Sequence, residues 1–184
     1  MSQAEAPRGP TIRKIPEGDT HERLVCADCG YVQYDNPKIV VGAVCSFEDR
    51  LLLCRRAINP RKGFWVFPAG YLELNEAVHE GAVREVREEA GAEAQLGELL
   101  AVYTIARISQ VQLIYRAQLP SAALDPGPES AEAKLFYWQE IPWDDLAFPT
   151  VHWALRHHRE VRGLSGFPPR GNPPGESADY IKKA

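Results

Sequence analysis

Apolar and polar positions alternate in two rhythms along this chain, and the change of rhythm predicts its elements. Ile39-Val-Val-Gly-Ala-Val-Cys-Ser-Phe47 and Arg50-Leu-Leu-Leu-Cys-Arg55 are β-branched or aliphatic runs joined by Glu48-Asp49, which predicts a hairpin. Trp65-Val-Phe67 reads as a short strand stopped by Pro68-Ala-Gly70. A period near 3.6 then predicts a helix from about Asn75 to Ala90, closed by Gly91 in the C′ position. Leu96 to Ala106, Gln110 to Leu119 and Ala133 to Trp138 predict three more strands. Pro149 opens a second helix running to about Arg162, since a first-turn proline loses no intrahelical bond. Strands interleaved with two separated helices predict an α/β (α+β) domain with a mixed sheet flanked by helices.

The flanks lack either rhythm. Residues 1–20 carry Pro7, Pro10 and Pro16 among scattered charges and read as a flexible arm. Residues 163–184 hold Pro168, Pro169, Pro173 and Pro174 among glycines and read as a tail that forms no element. Between them, 21–35 reads as a small knuckle and 36–162 as the main domain.

Composition narrows the function classes. With 184 residues, of which 45% are hydrophobic, the chain can bury a core without disulfide staples. Its best apolar run, Ile39 to Cys45, is far too short to span a membrane. The first residues show no apolar stretch of the secretory kind. A net charge of −4 and a pI near 5.8 lack the basic footprint of a nucleic-acid binder. Four cysteines in such a chain predict reduced thiols and a cytoplasmic setting.

The net charge conceals a local imbalance. From Glu73 to Glu89 there are six Glu against two Arg, so 2 − 6 equals the excess of the whole chain. Helical spacing puts Glu85, Glu88 and Glu89 on one face, near the end where the helix dipole disfavours anions. Each like-charge i, i+4 pair costs about 0.2–0.5 kcal/mol. A divalent cation relieves that crowding, and hard oxygen donors without nearby His or Cys suit Mg²⁺ or Mn²⁺. A solvated acidic face partly neutralised by Arg84 is the other reading of the same residues.

Gly70, Glu76, Arg84, Glu85, Val86, Glu88, Glu89 and Gly91 have the spacing Gly-x5-Glu-x7-Arg-Glu-aliphatic-x-Glu-Glu-x-Gly. This resembles the Nudix box, departing from it only at Ala92, where a bulkier aliphatic is usual. The resemblance implies a Nudix-type α/β/α sandwich that hydrolyses a nucleoside diphosphate linked to another moiety. It makes Glu85, Glu88 and Glu89 the metal ligands, joined by the Gly70 carbonyl, and Glu76–Arg84 an ion pair orienting loop and helix. The general base is then Glu88, Glu89 or an acid on a later loop.

Asp35-Asn-Pro-Lys-Ile-Val-Val-Gly42, Cys54-Arg-Arg-Ala-Ile-Asn-Pro60 and Phe64-Trp-Val-Phe-Pro-Ala-Gly-Tyr-Leu-Glu73 extend the likeness to the FAD and ADP-ribose pyrophosphatase branch. The Ser-Gln-Pro-Trp-Pro-Phe-Pro signature of NADH pyrophosphatases is absent. Glu132 resembles a late metal ligand of that branch, with Glu129 as its nearest rival. Arg55 and Arg56 are candidates to hold substrate phosphates, and Trp65 and Tyr71 to stack a base. Cys26-Ala-Asp-Cys29 is half of a zinc-ribbon knuckle; its usual partner pair is missing, so bound zinc is not expected. Cys45 and Cys54 read as buried thiols, and His79, His152, His157 and His158 as structural or surface residues. The expected partner is a small nucleoside diphosphate derivative rather than nucleic acid or membrane, and relatives suggest a homodimer. The alternative is a non-catalytic Nudix nucleotide sensor, which the intact box acids disfavour.

Overall fold

The computed structural model describes residues 9–178, whose strands fall into two sheets. The first lies in a unit ending at Pro37. It pairs β1 (Pro10–Lys14), β2 (Arg23–Cys26) and β3 (Val32–Gln33) in that order, all antiparallel. Residues 10–14 therefore differ from the expected flexible arm, pairing with β2 from Ile12↔Val25 to Lys14↔Arg23. Pro10 misleads because a proline is tolerated at the first position of an edge strand. Residues 1–8 of that arm lie outside the described residues.

The second unit begins at Lys38. Its strands are β4 (Lys38–Phe47), β5 (Arg50–Arg56), β6 (Trp65–Val66), β7 (Ala69–Tyr71), β8 (Gln95–Ile105), β9 (Gln110–Gln118) and β10 (Ser130–Tyr137). Its helices are α1 (Val78–Ala90) and α2 (Pro149–Glu160). The strand order is β10-β5-β4-β9-β8, with β6 beside β5 and β7 beside β4. Among the strand pairs of the described residues, β4–β9 is parallel and the others antiparallel, so the sheet is mixed, as the sequence predicts.

Strand alternation places the helices. Val41 faces α1, since a methyl added at Gly81 would press on its side chain. Val40, Gln112 and Tyr103 are cross-strand partners on the opposite face. Tyr103 packs edge-on against Trp153 of α2, with ring centroids 5.5 Å apart. The two helices thus cover opposite faces, giving an α/β/α sandwich. Val41, Val44, Leu52, Leu53, Val86, Leu100 and Leu155 are fully buried in its core.

Local chemistry sets the bounds of α1. Asn75 takes a left-handed φ of 64° and Ala77 is extended, so the helix starts at Val78 rather than at Asn75. Glu80 accepts the Ala77 N–H at 3.0 Å, half of a capping box. Gly91, with φ 62°, ends the helix by donating to the Arg87 carbonyl at 2.9 Å, as predicted.

Within the described residues the Pro-rich C-terminal stretch forms no strand or helix, yet it is tied to the sheet. Arg170 bridges to Ala101 on β8: its N–H donates to Leu100 at 2.8 Å and its carbonyl accepts from Val102 at 2.9 Å. β8 is a sheet edge with unpaired backbone groups, and the tail satisfies part of that edge. Residues 179–184 lie outside the described residues.

His158 on α2 is only 7% exposed, and its Nδ1 lacks a hydrogen-bond partner. Burial, then the charges of Arg116 and Arg162, push its pKa down to about 4. The unfolded chain, near the usual 6.5, binds that proton first, so stability present above pH 6.5 is lost as pH falls toward 4. Wild-type protein should lose about 2 kcal/mol more than His158→Gln between pH 7 and pH 5 in urea titrations.

Candidate active site

The turn from β7 into α1 carries the acids, and Arg84 organises it. Arg84 Nε and Nη2 grip Glu76 at 2.7 and 3.0 Å, and Nη2 also donates to the Tyr71 carbonyl at 3.0 Å. Its Nη1 donates to Glu85 Oε1 at 2.7 Å and to Glu88 Oε2 at 2.9 Å. Glu76 also accepts the Glu73 N–H at 3.1 Å, which ties the loop to the helix. The Arg84 guanidinium holds the Glu76 carboxyl below the usual carboxylate range. Arg84 itself is held firmly in its charged form by the hydrogen bonds of Glu76 and Glu85.

Glu85 and Glu89 are buried, 7% and 8% exposed, whereas Glu88 is exposed. The Glu85 carboxylate lies where a side chain at Gly70 would begin, so glycine is required there by close approach. Glu89 accepts the Ala69 N–H at 3.2 Å. Burial, then the neighbouring Glu85 charge, pushes its pKa up to about 8. Burial also raises Glu85, against the opposing pull of Arg84.

Glu85, Glu88, Glu89, Arg84, Gly70, Tyr71 and Arg56 all line one cavity of about 810 Å³. Glu129 lines it too, and its charge raises both buried acids. Its loop is stitched to the end of α1, where Asp125 donates to the Ala90 carbonyl at 2.8 Å. Gly127 in the same loop leaves no room for a Cβ beside the Glu88 carbonyl. Among the described residues, no three His, Cys, Asp or Glu side chains already converge as metal ligands do. Arg84 holds Glu85 and Glu88 instead.

Three sequence candidates stand elsewhere. Arg55 and Glu132 are cross-strand partners forming an ion pair at 2.9 Å, and Trp65 pairs opposite Arg55. Trp65 packs edge-on against Phe136 at 4.9 Å. Consecutive strand residues face opposite ways; Arg56 lines the cavity and Arg55 does not. Glu129, the rival of Glu132, lines the cavity, whereas Glu132 does not. The cavity also takes in Ile105, Ile108, Phe148, Val151 and Ala178, which no local motif marks. Cys26 is buried and Cys29 exposed in the first unit, both as free thiols. The Cys26 thiol is pulled below its ordinary range by backbone N–H groups of Cys29 and Asp28.

Residues 36–159 match the family model described as NUDIX domain, and residues 9–35 match the zinc-ribbon model described as Nudix N-terminal. A crystal structure of a NUDIX hydrolase from Nitrosomonas europaea is 45% identical, with a TM-score of 0.82. That match covers 88% of this chain and 93% of the other. An ADP-ribose pyrophosphatase from Methanocaldococcus jannaschii is 30% identical over 64% of this chain and 71% of its own length. A MutT-like protein from Streptomyces ambofaciens is 37% identical over 54% of this chain; the chain spans only 60% of that relative. With the intact box around one cavity and a NUDIX match over residues 36–159, this chain belongs to the Nudix hydrolase family.

Proposed function

We propose that this chain hydrolyses the pyrophosphate of a nucleoside diphosphate joined to a second moiety, of the ADP-ribose, FAD or NADH kind, using Mg²⁺ or Mn²⁺. The observation that carries this reading is the gathering of Glu85, Glu88, Glu89 and Glu129 around one cavity with Arg56. The curated relative named ADP-ribose pyrophosphatase supports it.

The residues fit a divalent ion. The donors are hard oxygens, and the Glu85 carboxylate nests against the Cβ-less Gly70. Burial and mutual repulsion leave Glu89 short of countercharge. Glu85, Glu88, Glu89 and the Gly70 carbonyl would hold the ion. When bound, it polarises phosphoryl oxygens and lowers the pKa of an attacking water. Arg56 binds phosphate oxygens, Tyr71 offers a half-exposed ring, and Glu129 accepts the proton of the water. Arg84 and Glu76 act as positioning residues for the carboxylates.

A hydrolysis panel of ADP-ribose, FAD, NADH, dinucleoside polyphosphates and nucleoside triphosphates with Mg²⁺ tests the reading; turnover of none of them overturns it. Within that panel, Glu129→Gln should lower kcat about 100-fold. Glu132→Gln, which alters only the pair with Arg55, should stay within about twofold, as surface ion pairs contribute little. Equal losses in both would contradict the assignment of Glu129.

The same reading covers the first unit and the assembly. Cys26 and Cys29 supply two of the four ligands that a structural zinc needs, so we propose no resident zinc. One tightly held zinc per purified chain would refute that. A homodimer is the proposed state, checked by light scattering.

A further inference from the structure

We propose that the C-terminal strap, residues 170–178, is part of the substrate site, where Ala178 completes an apolar wall for the uncharged planar ring of the substrate beyond its pyrophosphate. This rests on the function proposed above and adds a specificity-determining segment to it.

The strap is anchored at two points, each next to a wall of the cavity. Asn172 clamps both backbone groups of Thr104: its Oδ1 accepts the Thr104 N–H at 2.9 Å and its Nδ2 donates to the Thr104 carbonyl at 2.8 Å. The next residue, Ile105, lines the cavity. Farther along, Glu176 Oε2 accepts the indole N–H of Trp153 at 2.5 Å, holding the strap to α2 two residues past the cavity-lining Val151. Two residues past the second anchor, Ala178, 7% exposed, lines the cavity. Its φ of 61° lies in the left-handed region, which alanine adopts uncommonly.

Charge is unevenly spread over the cavity. Acidic side chains gather on α1 and the Glu129 loop, whereas Ile105, Ile108, Phe148, Val151 and Ala178 present hydrocarbon in a part of the lining that also holds the cationic Arg107 and the neutral Gln110, Gln112 and Thr150. A nucleoside diphosphate conjugate has the same division, charged at the pyrophosphate and flat and uncharged at its base. A cavity of about 810 Å³ is large enough for such a ligand. Apolar surface around an aromatic ring suits a heterocycle by stacking and burial.

The test combines amide hydrogen exchange with kinetics. In Asn172→Ala, exchange at Thr104 should accelerate, and KM for ADP-ribose should rise about tenfold with kcat within about twofold. The inhibition constant of inorganic pyrophosphate, which has no ring, should stay unchanged. Ala178→Glu should raise KM likewise while Thr104 keeps its protection. Unchanged exchange at Thr104, unchanged KM in either variant, or pyrophosphate affinity falling in step with KM would each overturn the proposal. If the wild type hydrolyses no conjugate, the proposed function fails. The strap is then judged by the Kd of ADP-ribose, and equal Kd in wild type and both variants would overturn it separately.

Discussion

Glu89→Gln is expected to lower kcat about a thousandfold and to leave the metal-free protein at least as stable as wild type at pH 8. The two effects share one cause. Glu89 is 8% exposed beside Glu85, and its carboxyl is pushed up to about 8 by burial and then by that neighbour. An unfolded Glu titrates near 4.5. The folded state therefore holds the proton through the window from 4.5 to 8, and stability declines as pH rises across it. A neutral amide of similar shape removes that loss and still accepts the Ala69 N–H. It cannot supply the negative charge that the proposed chemistry needs. Urea titrations at pH 5 and pH 8 with parallel kinetics check both halves. A variant that is inactive and markedly less stable at pH 8 would show Glu89 to be a structural residue.

Arg84→Gln should destabilise the fold by about 2–4 kcal/mol at neutral pH, because it strands three carboxylates at once. Glu76 and Glu85 are mostly buried and spend hydrogen bonds on this guanidinium, while the more exposed Glu88 loses less. The loop from Glu73 to Ala77 hangs on Glu76, so its release disorders the entry to α1 as well. Arg84→Lys should recover only part of the loss. An ammonium offers no planar fork to meet Glu76 at two points while reaching Glu85 and Glu88. Unfolding midpoints at pH 7 give the measure, and a change below about 0.5 kcal/mol would mean that solvent already screens the cluster.

What the sequence reveals of this site follows the range of the interactions. The Gly91 helix end and the β4–β5 hairpin depend on residues within one element or its turn, and spacing exposes them, whereas the Glu76–Arg84 pair follows from the resemblance to the Nudix box. The box acids were legible because helical geometry fixes their common face. Arg55 and Arg56 differ only in strand phase, which register with β10 decides. Glu129 lies in the turn before β10 and Glu132 inside that strand, so the resemblance points to Glu132 first and to Glu129 as its rival, whereas the fold puts Glu129 in the cavity and Glu132 on Arg55. Residues 10–14 and 170–178 look structureless alone. Residues 10–14 gain their conformation by pairing with the next strand, β2, and residues 170–178 theirs from the far edge strand β8 and from α2, which no local pattern announces.

The most direct measurement is hydrolysis of the panel conjugates by the purified protein with Mg²⁺ present and then withdrawn by chelation, with products resolved. For whichever conjugate of the panel is turned over, cleavage at the pyrophosphate (AMP and ribose 5-phosphate in the case of ADP-ribose) that stops on chelation and resumes on adding Mg²⁺ is the predicted result. Cleavage that persists in full after chelation, or that yields products from any bond other than the pyrophosphate, would contradict the role proposed for Glu85, Glu88 and Glu89.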